Sequence, residues 1–154
     1  MFIKFGKIYS LSRSLYLKKI PYLPRILRAM NRIVYACDIP FKANIHETVI
    51  FAHSGLGVVV NDNAEIGQNT KILQHVTIGG NMGKQKEIDG RVTSAPVIGE
   101  SVIIGAGAQI LGPVKIGNNA KIGAGAVVMI DVPDNGIAVG IPAKVINAKE
   151  VVNT

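Results

Sequence analysis

Hydrophobic and polar positions divide the chain into two rhythms. From Val60 to Val128 an aliphatic residue falls on every sixth position, at Val60, Ile66, Ile72 and Ile78 and then at Ile98, Ile104, Ile110, Ile116, Ile122 and Val128. Two places before most of these stands a small or β-branched residue, such as Ala64, Thr70, Val76, Val102 or Ala108, and one place after them glycine recurs. A beat of six does not fit a 3.6-residue helical turn. It equals three strand periods, so every aliphatic can face one interior if the chain bends after each short strand. The Gly, Asn and Asp residues between beats supply the bends. Coils of this kind stack over a continuous apolar column, which predicts a β-helix whose handedness the spacing leaves open.

The beat breaks between Ile78 and Ile98, a gap of 20 residues where a multiple of six is expected. The intervening Asn81–Ala95 segment is polar and lacks the aliphatic column, so it reads as a loop projecting from one corner. Such a loop is either a tolerated surface insertion or, as long loops in compact domains tend to be, an acceptor-binding segment or lid; the second reading is favoured.

Ahead of the repeat the period changes. Ile8, Leu11 and Leu15, then Ile26, Met30, Ile33 and Val34, follow helical spacing interrupted by Pro21 and Pro24, which predicts two short amphipathic helices. Charge concentrates here: residues 1–38 hold eight Lys and Arg against Asp38 alone, which accounts for the whole formal charge of +7. The basic faces of these helices would rest on an anionic membrane surface, or the helices would pack on the end of the β-helix or on a neighbouring subunit with their charges in solvent. Because the basic residues are confined to this arm and no aromatic platform interleaves them, nucleic-acid binding is excluded.

Composition agrees. At 154 residues the chain is sized for one domain, and with 48% hydrophobic but only 5% aromatic residues its core must be built from small and β-branched side chains. Cys37 is the single cysteine, so there is no intrachain disulfide and no CxxC metal pair, which suits a reducing cytosol. No apolar run approaches the ~20 residues of a membrane span. Lys4, Lys7 and Arg13 interrupt any secretory signal, so the mature chain is expected to begin at Met1 and to be cytoplasmic, with peripheral contact to the inner membrane face as an option for the arm.

Three stretches, ILQHVTIGG (72–80), VIIGAGAQILGPVKIGNNAKIGAGAVV (102–128) and VGIPAKVI (139–146), resemble the serine acetyltransferase branch of the hexapeptide-repeat acyltransferases. The resemblance runs from about Asp38 to Ile146. It implies an all-β domain, a left-handed parallel β-helix of hexapeptide repeats with a short α-helical N-terminal arm. It also implies a homotrimer with acceptor sites between subunits, acetyl-CoA as donor, and no metal. The expected layout is an arm at 1–37, the β-helix at 38–146 with its loop at 81–95, and a tail at 147–154.

Residue by residue, the resemblance makes His53 in FAHSGLGVVV the general base and Asp38, fifteen positions earlier in CDIP, the group that orients it. The chemistry is reasonable, because a hydroxyl is a poor nucleophile at neutral pH and a neutral imidazole held in one tautomer can take its proton. His75 is read as a groove or subunit-contact residue, with an alternative role as base, and His46 as a solvated turn histidine. Donor binding maps to Gly79, Gly80, Ala106 and Ala124, with Lys144 meeting the nucleotide phosphates and the Gly80 amide at the developing oxyanion.

The chain departs from the family at the acceptor. Ala52 stands where serine acetyltransferases carry an acid before the histidine, and Ser94 and Ala95 stand where they carry an Arg-His pair, so the charges that grip an amino acid are missing. The expectation drawn from this is a sugar hydroxyl in cell-surface polysaccharide biosynthesis as acceptor. The alternatives are a serine O-acetyltransferase of cysteine biosynthesis with a rebuilt acceptor site and, against the intact Asp38, His53, Gly80 and Lys144, a non-enzymatic trimeric scaffold.

Overall fold

The structure, a computed structural model, describes residues 5–81 and 83–146; the expected tail at 147–154 and the first four residues of the arm lie outside the described residues. From Asn44 onward the chain winds as a left-handed parallel β-helix, each coil giving a short strand to each of three sheets. The first sheet stacks Asn44–Ile45, Glu65–Ile66, Val97–Ile98 and Lys115–Ile116. The second stacks Ile50–Phe51, Lys71–Ile72, Ile103–Ile104, Lys121–Ile122 and Ile137–Val139, closed by the antiparallel Lys144–Ile146. The third stacks Val59–Val60, Thr77–Gly79, Gln109–Leu111 and Val127–Val128.

The register turns the sequence beat into a core. Ile66 pairs with Ile98 and Ile98 with Ile116, Ile72 with Ile104 and Ile104 with Ile122, Val60 with Ile78, Ile78 with Ile110 and Ile110 with Val128. All ten aliphatics on the beat are buried. The small residues two places earlier are buried with them, because a coil interior this narrow has no room for larger side chains at the corners. Each Ile or Val taken from water contributes about 1.5–3 kcal/mol, so the column accounts for much of the stability.

The corners use left-handed backbone. Between the first and second sheets Asn69, Ser101, Asn119 and Asn135 all have φ of 55–58°, a conformation that asparagine tolerates better than most residues. There the backbone bonds rung to rung, from Ser101 N to Gln68 O, Asn119 N to Glu100 O and Asn135 N to Asn118 O, each 2.8 Å.

The 81–95 segment is more ordered than a plain loop. Lys86–Ile88 and Arg91–Thr93 form an antiparallel hairpin across an Asp89–Gly90 turn with both φ positive. Ile88 is buried, and the ion pairs Lys86–Asp131, Lys115–Asp89 and Arg91–Glu65 fasten the hairpin to the β-helix.

The arm forms the two expected helices, α1 (Phe5–Leu17) and α2 (Leu23–Tyr35), packed on the N-terminal end of the β-helix. Tyr9 donates its hydroxyl to Ala43 O at 2.8 Å, and Arg13 caps the carbonyls of Phe41, Lys42 and Ala43. In α2 Arg28 and Arg32 turn toward the β-helix while Arg25 stays exposed, so the expected solvated basic face is only partly kept: Arg28 bonds Asp38 at 2.7 Å and Asp62 at 3.3 Å, and Arg32 reaches Asp38 at 3.3 Å. The cause is electrostatic, since the end of the β-helix presents these two carboxylates to the helix. No helix among the described residues is long and apolar enough to cross a membrane.

Candidate functional site

An unusual stretch of backbone lies at His53. In the turn linking Ile50–Phe51 to Val59–Val60, His53 (φ 50°, ψ 37°) and Ser54 (φ 57°, ψ 26°) are both left-handed, followed by Gly55 at φ 75°. Consecutive left-handed non-glycine residues cost free energy and persist only where the surroundings hold them, which is a mark of functional segments. This turn swings the His53 side chain into solvent.

His75 occupies the same edge one coil further on. Its amide donates to Leu56 O at 2.8 Å, and its ring lies against Gly57. On the next two coils the matching corner carries Ala106–Gly107 and Ala124–Gly125, linked by Gly107 N to Gln74 O at 3.0 Å and Gly125 N to Ala106 O at 2.8 Å. A Cβ at Gly107 or Gly125 would meet nothing within 4 Å, so the corner forms a bare ledge. Lys144 pairs with Val139 where the second sheet reaches this edge, and its side chain is exposed. His53, His75, Ala106, Ala124 and Lys144 therefore line one edge of the β-helix. At about 4.8 Å per rung, the run from His75 to Lys144 is about 14 Å.

Gly79, Gly80, Ser94 and Asn61 gather at the opposite edge of the third sheet. A Cβ at Gly80 would fall 2.9 Å from Asn61 Nδ2 and 3.1 Å from Ser94 O. Asn61, Gly80 and Ser94, with Asn81 and Lys84, line a cleft of about 390 Å³. Ala95 is fully enclosed and presents nothing to the cleft, while Ala52 is half-buried beside His53. His75 and Gly80 are five residues apart across an extended strand, about 16 Å. One chain thus carries the candidate base and the candidate oxyanion amide on different edges.

The chain enters the third sheet alongside the His53 turn, with Asp38 N bonded to Val58 O and Gly57 N to Ala36 O. Both oxygens of the Asp38 carboxylate are engaged by arginine, Oδ1 by Arg28 and Oδ2 by Arg32. His46 stays at the surface, bonded to Thr48. Arg28, Arg32 and Asn61 escape a reading of the sequence alone. Asn61 had a signal, because it follows Val60 at the place where other coils carry glycine. Among the described residues no three His, Cys, Asp or Glu groups converge as metal ligands.

Comparison with known proteins settles the family. Residues 95–129 match the bacterial transferase hexapeptide family (six repeats). A serine acetyltransferase of Helicobacter pylori (strain 26695) is 37% identical over 138 residues, 90% of this chain and 77% of the relative. The chain belongs to the serine acetyltransferase family. The serine acetyltransferase of Synechococcus elongatus is 39% identical over 132 residues, 86% of this chain but 51% of the relative. A solved serine acetyltransferase in complex with CoA superimposes with a TM-score of 0.82 at 32% identity, over 95% of this chain and 58% of that one. The chain thus spans about half to two thirds of the length of the first of its curated relatives.

These relatives correct the expectation of a sugar acceptor in polysaccharide biosynthesis, since the family likeness is to enzymes named for serine. That expectation rested on charges absent at Ala52, Ser94 and Ala95. Three absences on one chain do not define an acceptor when the candidate site residues lie on two different edges of the β-helix.

Proposed function

We propose that the protein is an acetyl-CoA-dependent serine O-acetyltransferase working as a homotrimer, with each site formed where the His53 edge of one copy meets the Gly80 edge of the next. The observation that carries this reading is the single ledge that begins at the strained His53 turn, runs bare past Ala106 and Ala124, and ends at Lys144. A bare ledge fits a slender acyl-carrying arm with its backbone amides in reach, and an exposed lysine at the far end fits the phosphates of CoA.

In this reading His53 takes the proton from the serine hydroxyl as its oxygen attacks the thioester carbonyl carbon. Negative charge develops on the carbonyl oxygen, where a preorganised amide such as that of Gly80 from the adjoining copy stabilises it. The tetrahedral centre then expels the CoA sulfur, and the imidazolium returns its proton to that sulfur. The acetyl group has moved, the products are O-acetylserine and CoA, and the histidine is again neutral. The charges of serine need partners beyond Ala52, Ser94 and Ala95; the mostly exposed guanidinium of Arg32, beside Asp38, is available for the carboxylate.

The test is serine-dependent release of CoA, with O-acetylserine identified as product. Replacing His53→Ala should lower kcat by about 10² or more, with His75→Ala far milder. A well-folded oligomer that released no CoA in the presence of serine would overturn the acceptor assignment. Reversed effects at the two histidines would move the base to His75.

A further inference from the structure

We infer that the outward face of α2 is a docking surface for an anionic lipid bilayer. The helix is built inside out relative to an ordinary surface helix. Its buried residues are Pro24 and Asn31, and Arg28 and Arg32 point to the β-helix through Asp38 and Asp62. Ile26, Met30 and Ile33 therefore line up at helical spacing on the side away from the body. They are 53%, 41% and 84% exposed, with Val34 beside them at 60%. Leaving such a stripe in water is unfavourable, and monomeric surfaces seldom keep one without a partner.

Charge selects the occupant. Residues 1–37 contain no acidic side chain at all. Arg13 and Arg28 are engaged internally and Arg32 reaches Asp38 from a mostly exposed position, but Lys18, Lys19 and Arg25 are exposed at the α1–α2 turn and the start of α2, and no carboxylate pairs with them among the described residues. A second copy of the arm would bring like charge against like. An anionic bilayer satisfies both features, taking the stripe into its interface and the cations at its headgroups. A groove of about 650 Å³ lies at the α1–α2 turn, with apolar walls at Leu17, Ile20 and Phe41 and cations at Lys19 and Arg25, and could take one lipid with an acidic headgroup.

The experiment uses the full chain, sedimented with vesicles of phosphatidylcholine alone or of phosphatidylcholine with phosphatidylglycerol. The parent protein should pellet only with the anionic vesicles, less so at high salt. The triple replacement of Ile26→Ser, Met30→Ser and Ile33→Ser should weaken partition about tenfold or more. Because these side chains touch neither the His53 ledge nor the Gly80 cleft, CoA release by the triple variant should stay at the parent rate, which also shows that it has folded. The proposal is overturned if the parent ignores anionic vesicles or if the triple variant pellets as well as the parent. It is overturned equally if light scattering shows a larger assembly of the parent that the triple variant loses, for then the face is covered by another copy.

Discussion

Gly57 lies so close to His75 that a Cβ on it would fall 2.2 Å from the imidazole Nδ1. The backbone there is also left-handed, at φ 68°, so the contact and the conformation both demand glycine. This packing sets the His53 turn against the next coil and links the two histidines of the ledge.

Gly57→Ala should therefore shift either the His75 ring or the His53 turn. A cost of about 1–3 kcal/mol is expected in urea unfolding, with a fall in kcat greater than that of His75→Ala. A variant with parental stability and kcat would show that the contact does not position the turn.

Placement of the candidate base and the candidate oxyanion amide on different edges predicts complementation between copies of the proposed trimer. His53→Ala and Gly80→Val chains should each be inactive as homotrimers. Refolded together in equal amounts they should recover about a quarter of parental activity, because random mixing leaves about one interface in four with both intact groups. No recovery from mixed trimers would place both groups in one chain's site.

Arg28 joins α2 to two carboxylates at once, so Arg28→Met should leave Asp38 and Asp62 short of a partner. A loss of about 1–3 kcal/mol in thermal unfolding is expected, and Arg28→Lys should recover part of it. If Met and Lys behaved alike, the guanidinium geometry would be irrelevant to docking of the arm.

In the column, Ile104→Asp would bury an unpaired carboxylate between Ile72 and Ile122, at a cost of several kcal/mol. Soluble expression should collapse, as read by circular dichroism and size exclusion. A native spectrum would disprove the buried ladder.

Burial, with some help from the Asp38 charge, pushes the Cys37 thiol up to about 11. In the unfolded chain the thiol ionises first, so protons are lost from the unfolded state and stability falls as pH rises from the ordinary thiol range toward 11. The Cys37→Ala variant should show a flatter alkaline limb in unfolding curves. At neutral pH native Cys37 should resist alkylation until denaturant is added.

The spacing of Val60, Ile66, Ile72 and their successors determined the β-helix, because a strand period repeated between bends allows one interior and no other. The sequence also sufficed for the two helices of the arm, for the break in the coils after Ile78, and for the likeness that singled out His53, Gly80 and Lys144. The hairpin at Lys86–Thr93 lay hidden in the pattern because its strands fall off the six-residue beat, although an Asp-Gly pair is itself a hairpin-turn signature.

What only the tertiary structure decided is which groups share an edge. His75 and Gly80 are near in sequence yet separated by a whole strand, while His75, Ala106 and Ala124 are far apart in sequence and stacked, because coil closure brings together residues one turn apart. The structure also decided which way α2 faces. Its pattern marks an apolar stripe and a basic side, but the side that turns inward depends on Asp38 and Asp62 at the end of the β-helix, carboxylates that helical periodicity cannot see.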